Sequence, residues 1–359
     1  VNGVPDVSAD RLCQTAPLAP YTTLRLGGPA RQLVAAINAD EIAQSVRDVT
    51  ISGQPTLILG GGSNVVIADR GFAGTVILVR SRGVRVTARD GDGVTVRVAA
   101  GEPWDEVVIA AIDAGWSGLE CLSGIPGAAG ATPIQNVGAY GQEVAETITR
   151  VRVLDRLTDE VVWMSPAECR FGYRTSVFKR SDRWVVLSVE FRLRRSPQSA
   201  PIRYAELARA LGVPLGANAP LTVVRDAVLA LRAGKGMVLD PADPDTYSAG
   251  SFFTNPVLDT AAIAAVRRRA DGPGEMPMWP SVDGLVKVSA AWLIERAGFE
   301  KGYGRRGVAI SSKHTLALTN RGTGTTEALL ELAREVRDGV HARFGVTLHP
   351  EPVLVDCAL

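Results

Sequence analysis

Three observations predict an α+β protein. Between residues 56 and 200 the chain alternates short β-branched runs with glycine, and from about 220 onward its apolar residues recur at helical spacing. At 359 residues and 46% hydrophobic content it carries enough apolar mass for two or three domain cores. A strand-rich segment followed by a helix-rich one is the α+β pattern.

The elements follow in order. TLIL at 56–59, TVILV at 75–79, VTVRV at 94–98, VRVLD at 151–155 and WVVLSVEFRL at 184–193 read as strands. Trp104, Val107, Val108, Ala111 and Ile112 predict a helix among them, which Gly115 stops. Leu221, Val224, Val228 and Leu231 form a helical stripe ending at Gly234, and Ile263 to Arg269 suggests another helix. Ser289 caps AAWLIERA, closed by Gly298. Strands at 307–311 and 315–319 precede a last helix, Glu327 to Phe344, with Leu329, Leu332, Val336 and Val340 on one face. GKGMVLDPADPD, rich in Gly, Pro and Asp, predicts a domain boundary near 236.

Composition excludes several functions. Thirty-nine cationic against 38 anionic residues leave a net charge of +1, without the cationic excess of a nucleic-acid or membrane-surface binder. Only five cations are lysine: Lys179, Lys235, Lys287, Lys301 and Lys313. Cys13, Cys121, Cys169 and Cys357 form no C-x-x-C pair, and His314, His341 and His349 have no metal-ligand spacing, so no metal site is expected. Redox work would then fall to an organic cofactor. Apolar stretches such as Val107 to Ile112 are too short to span a bilayer, and no signal segment follows Val1, so a cytoplasmic location is expected.

The glycines are the informative residues. Gly302-Tyr-Gly304-Arg-Arg-Gly307 matches G-x-G-x-x-G but follows a helix and leads into a strand, the reverse of a dinucleotide fingerprint, and reads as a turn. Gly234-Lys235 lacks the remainder of a P-loop. In LILGGGSNVVI, Gly60, Gly61 and Gly62 let backbone N–H groups approach a ligand, and Ser63 and Asn64 add donors; a diphosphate nest and a tight turn are equally weighted for this segment alone. GLECLSGIPGAAGATPIQNVGAYGQE, residues 118–143, is a long, almost uncharged loop of the kind that packs on a bulky cofactor.

With CRFGYRTSVFK, AGSFFTNP and HPEPVLV, these segments resemble the UDP-N-acetylenolpyruvoylglucosamine reductases over almost the whole chain; GIPG, PIQNVGAYG and GSFFxNP together are a specific combination. The resemblance implies a vanillyl-alcohol-oxidase-like FAD-binding fold in two lobes, residues 1–82 with 345–359 and residues 83–236, plus an α+β substrate domain at 237–344. It implies that NADPH reduces FAD, that hydride passes from flavin N5 to the β-carbon of the enolpyruvyl group on UDP-N-acetylglucosamine, and that protonation of the α-carbon gives UDP-N-acetylmuramate for peptidoglycan synthesis.

The same resemblance assigns residues. Gly60, Gly61, Gly62, Ser63 and Asn64, then Gly124, Ile125, Pro126, Gly127, Gln135, Asn136, Gly138, Ala139 and Tyr140, are expected at the FAD. No histidine lies in either segment, which argues for non-covalent attachment. Arg174 matches the arginine that grips the substrate carboxylate, Ser251 the proton donor, and Glu351 the residue that orients or polarises the intermediate. Taken singly, these would be an ordinary surface arginine, a turn serine and an exposed glutamate; the joint context reverses that. Tyr204 places the chain in the branch with an extra tyrosine-bearing segment, and Lys235, Asn255 and Lys287 are expected at the nucleotide-sugar. Two positions depart from the pattern. Thr254 stands where GSFFKNP has Lys, and Val353 where many relatives have Arg. No interface signature stands out, and a monomer is expected. A flavin oxidase of the same superfamily and a non-catalytic nucleotide-sugar sensor are the rival readings.

Overall fold

All five β-branched runs form strands in the computed structural model, which describes residues 12–270 and 275–359. The part of the expected first lobe before residue 12 lies outside the described residues. Leu12–Pro17, Pro29–Ala36, Phe72–Val79 and Thr56–Leu59 make a four-stranded sheet in that order, antiparallel at the first pair and parallel thereafter. Phe72–Val79 has a nearly continuous buried apolar run, as a parallel strand covered on both faces requires.

The second sheet is antiparallel, with strands ordered Glu160–Met164, Ile148–Asp155, Trp184–Arg195, Gly93–Ala99 and Val84–Asp90; Trp116–Ser117 pairs with the end of the long Trp184–Arg195 strand. Helix Trp104–Asp113 buries Trp104, Val107, Val108, Ala111 and Ile112, the five residues whose spacing predicts it. A helix the spacing analysis did not place, Ala39–Ser52, packs between the two sheets through Ile42, Ala43, Val46 and Val49, joining them in one apolar core. Its ends are well formed: Asn38 accepts from the Glu41 amide at 2.9 Å, and Gly53 closes it at φ 66°.

The third region pairs Ser248–Ser251, Ala317–Asn320, Val308–Ile310 and Gly304–Arg305 against helices Ala290–Arg296 and Thr326–Phe344, which starts one residue before the expected Glu327. The G-x-G-x-x-G segment is the turn it was read as. Arg306 and Gly307 both have positive φ, 54° and 75°, between paired strands, as a two-residue hairpin of right-handed twist demands. Finally Val353–Val355 returns to lie parallel to Val65–Ile67, and the Val353 amide donates to the Asn64 carbonyl at 3.0 Å. That pairing ties the end of the third region to the first glycine loop.

Candidate active site

Three segments distant in sequence meet around one cavity of about 320 Å³. One wall is glycine backbone. Gly60, Gly61, Gly62, Ser63 and Asn64 line it beside Ile125, Pro126, Gly127 and Ala128, and the two loops approach so closely that side chains would not fit. A Cβ on Gly61 would come 2.6 Å from the Gly127 Cα, and one on Gly62, whose φ is +63°, would come 1.9 Å from the Tyr21 carbonyl oxygen. The Asn64 side-chain Nδ2 donates to Gln135 Oε1 at 2.5 Å, fastening the first loop to the second. Arg80 supports this wall from behind, donating to the Gly60 carbonyl at 3.0 Å.

The opposite wall carries the charge. Gly172 and Thr175 exchange two backbone hydrogen bonds, forming a turn with Tyr173 and Arg174 at its tip. Arg174 has φ +52° and reaches back to donate to the carbonyls of Asn136 at 3.3 Å and Gly138 at 2.6 Å. Its Nε lies 3.5 Å from Glu351 Oε1, and Nη1 lies 3.9 Å from Glu143 Oε1. Glu351 is held by pairing between HPEP and GSFF: its amide donates to the Phe252 carbonyl, and Pro350 bridges Phe253. Its side chain is only 13% exposed. Burial raises its pKa above the usual carboxylate range, against the opposing pull of Arg174 and Lys179. Ser251 ends its strand after Gly250, which turns at φ 73°; the half-buried hydroxyl lines the cavity and has no protein hydrogen-bond partner among the described residues.

Arg174, Ser251 and Glu351 therefore share one cavity with ten of the residues expected at the cofactor: Gly60 to Asn64, Ile125, Pro126, Gly127, Gln135 and Gly138. Gly124, Asn136, Ala139 and Tyr140 do not line it. Asn136 is buried beneath, where its amide ties Glu143 to the Gly172 carbonyl, and the Gly124 amide donates to Asp105.

The expected substrate residues fall into two groups outside the cavity wall. Lys287 lies 4.2 Å from the centre of the Tyr173 ring, at the tip of the Gly172–Thr175 turn, with Asn255 beside the Tyr173 phenol. Lys235 pairs with Glu206 at 2.6 Å and faces Tyr140, on which Tyr204 packs edge-on with ring centres 5.6 Å apart. Of the two departures, Thr254 donates to the His349 carbonyl through its amide, and Val353 pairs in the strand to Val65.

Two side chains escaped the sequence reading. Arg232 lines the cavity near Gly124 with its Nε shut from solvent and unpartnered, and burial lowers its pKa. Its position one turn before Lys235 was the available signal. Lys179, inside CRFGYRTSVFK, donates to the Arg174 carbonyl at 2.9 Å.

An uncharged glycine cradle beside a buried guanidinium whose Nε has no partner suits a diphosphate-bearing group. The cavity between this cradle and the Arg174–Glu351 pair would accept a flat redox ring, and fold and site define an FAD-dependent oxidoreductase. A family model described as an FAD binding domain matches residues 30–165, and one described as the C-terminal domain of UDP-N-acetylenolpyruvoylglucosamine reductase matches 241–355. The chain is 64% identical to the UDP-N-acetylenolpyruvoylglucosamine reductase of Salinispora arenicola, over 99% of this chain and 98% of that one. It is 59% identical to that of Thermobifida fusca, over 96% and 98%. The crystal structure of the Thermus caldophilus enzyme of the same name superposes with a TM-score of 0.64 at 25% identity, covering 96% of this chain and 98% of that one. The chain belongs to the UDP-N-acetylenolpyruvoylglucosamine reductase family, flavoproteins of peptidoglycan precursor synthesis that take their electrons from NADPH. No helix among the described residues is long and apolar enough to cross a membrane.

Proposed function

We propose that this chain reduces the enolpyruvyl group of UDP-N-acetylglucosamine enolpyruvate to give UDP-N-acetylmuramate, with Arg174, Ser251 and Glu351 as its catalytic residues. The observation that carries the reading is the convergence of these three on the glycine cavity, with Arg174 clamped by the Asn136 and Gly138 carbonyls and aimed past Glu351. The backbone of Gly60–Asn64 and of residues 125–128, with Gln135 and Arg232, would hold the FAD. When bound, the flavin supplies the hydride that NADPH provides and the substrate β-carbon receives.

The protein must then manage negative charge and one proton. Addition at the β-carbon pushes an electron pair onto the α-carbon and into the adjoining carboxylate. A guanidinium has five N–H donors; Arg174 spends one on each of two carbonyls and one toward Glu351, leaving two for that carboxylate. A preorganised cation at the developing charge is the largest contribution a site of this kind makes. Ser251 Oγ then gives its proton to the α-carbon, and solvent restores it. Glu351, raised by burial, donates from its protonated form to the same intermediate. Lys235, Tyr204, Asn255 and Lys287 receive the nucleotide-sugar, the lysines meeting its diphosphate. The need for NADPH assigns this work to the cytoplasm, and the expected state is a monomer, which sedimentation velocity checks.

Ser251→Ala is the direct test. NADPH should still bleach the flavin absorbance of the variant, and the enolpyruvyl substrate should fail to restore it. Restoration at the wild-type rate would remove Ser251 from the role of proton donor.

A further inference from the structure

Arg174 is not a residue whose backbone settles by itself. A non-glycine residue at φ +52° persists only where its surroundings over-determine it. Its guanidinium has two carbonyl anchors, but those fix the far end of a long side chain. The near end is fixed by Lys179. The chain after the turn doubles back, with the Val177 amide on the Cys169 carbonyl, the Ser176 hydroxyl on the Ile134 carbonyl and the Lys179 amide on the Ser176 carbonyl. That path brings the Lys179 ammonium under the turn, 2.9 Å from the Arg174 carbonyl oxygen.

Lys179 does not line the cavity. Yet it is half-buried, and desolvation lowers its pKa, with Glu351 opposing and Arg180 and Arg174 adding to the effect. A half-buried cation behind an active site, in a chain with only five lysines, calls for a reason. A compact ammonium fits beneath a carbonyl, where the planar fork of an arginine would not.

We infer that Lys179 is the positioning residue of the catalytic turn: its ammonium holds the Arg174 carbonyl and flanks Glu351, so that arginine and glutamate are presented to the cavity as one unit. This rests on the reading of Arg174 and Glu351 as catalytic. The groups facing Glu351 are Arg174, Lys179 and Tyr173, and Glu143 lies on the other side of Arg174. Taking away Lys179 removes one of the two cations that hold the Glu351 pKa down. The pH limb that Glu351 governs then moves upward. In the mechanism above Glu351 works protonated, so this is the limb on which rate falls as pH rises.

Two variants separate the two duties. Lys179→Gln keeps an N–H donor for the Arg174 carbonyl and loses the charge; Lys179→Met loses both. Each is studied as purified flavoprotein by stopped-flow absorbance, with NADPH for flavin reduction and UDP-N-acetylglucosamine enolpyruvate for reoxidation, across pH. Lys179→Met should slow reoxidation at least tenfold while leaving reduction by NADPH within about threefold of wild type. Lys179→Gln should recover most of that rate but keep the upward shift of the falling limb. Reoxidation within twofold of wild type in Lys179→Met, or an unmoved limb in Lys179→Gln, overturns the inference. If Lys179→Met yields no flavoprotein, the limb of Lys179→Gln decides alone. Arg174→Lys, run in parallel, tests the underlying reading. Normal reoxidation there removes Arg174 from catalysis and the inference with it. Slow reoxidation there beside unaffected Lys179 variants removes the inference alone.

Discussion

The two walls of the cavity are built on opposite principles. The glycine wall has almost no side chains; its loops are spaced by the absence of Cβ atoms and joined by backbone contacts and the Asn64–Gln135 bond. The charged wall is built of long side chains held by carbonyls or opposite charge: Arg174 is held by Asn136 and Gly138 and faces Glu351, with Lys179 behind it on the Arg174 carbonyl. The difference teaches that one wall is sensitive to volume and the other to charge and pH. A binding surface for a large rigid cofactor can be made of backbone, whereas a surface that must answer charge appearing during a reaction needs groups that carry it.

The sharpest break of that contrast adds volume to the glycine wall. Gly62→Val places a β-branched side chain at positive φ against the Tyr21 carbonyl and Thr22 Cα, which are backbone and cannot swing aside. We expect a loss of about 3 kcal/mol or more and a purified protein whose visible spectrum lacks the flavin band. A yellow protein of unchanged melting temperature would mean the loop yields more easily than its contacts imply.

A smaller effect comes from a carboxylate that braces this wall through Gly124. Asp105 accepts from both Arg225 nitrogens at 2.8 Å and from the Gly124 amide at 2.6 Å. Burial alone would raise its pKa, but these donors outweigh it and the net shift is downward. A carboxylate depressed in the folded state contributes stability that is present above its ordinary value of 3.8 and lost as pH falls through the folded value. Asp105→Asn should therefore cost roughly 2 kcal/mol near neutrality, read by urea unfolding, with the gap to wild type closing in acid. A gap that stays constant to low pH would show that the bond to Gly124 is steric support and not charge.

The smallest effect lies beside the cavity, around Lys235. His314 is half-buried among Lys235, Lys301, Glu206 and Arg232, and its pKa falls from 6.5 to about 4, first through burial and then through those cations. The unfolded chain takes up a proton below 6.5 that the folded one refuses, so wild-type stability drops as pH falls from 6.5 toward 4. Partial exposure limits this to about 1 kcal/mol. His314→Asn should flatten that part of the curve in urea titrations at successive pH values; parallel curves for the two proteins would contradict it.

The sequence was most legible where one physical signal dominated. The five β-branched runs, the stripe from Leu221 to Leu231 and the Ser289 cap all formed as read, because period and capping agreed. Helix Ala39–Ser52 was harder, since its buried face mixes Ile42 and the β-branched Val46 and Val49 with alanine, and only the Asn38–Glu41 cap marks its start. The candidate catalytic trio was legible through its motif context alone. Arg232 and Lys179 were not, because what distinguishes them is where their neighbours put them: an unpartnered Nε beside Gly124, and an ammonium beneath a left-handed turn. Apart from the place of Arg232 one turn before Lys235, neither is a property of spacing. The same holds for Lys235, whose pairing with Glu206 joins helix ends that no local pattern relates.

The parallel pairing of Val353–Val355 with Val65–Ile67 has a consequence for biosynthesis. Glu351 reaches its place only through this strand and its pairing with Phe252, so the site is assembled from the first and last stretches of a long span of chain. Translation is vectorial, at about 5–20 residues per second. Both glycine loops leave the ribosome well before Glu351 is synthesised. A nascent chain can thus acquire the glycine surface while it is still without its buried glutamate, and the candidate site is complete only once that strand has docked.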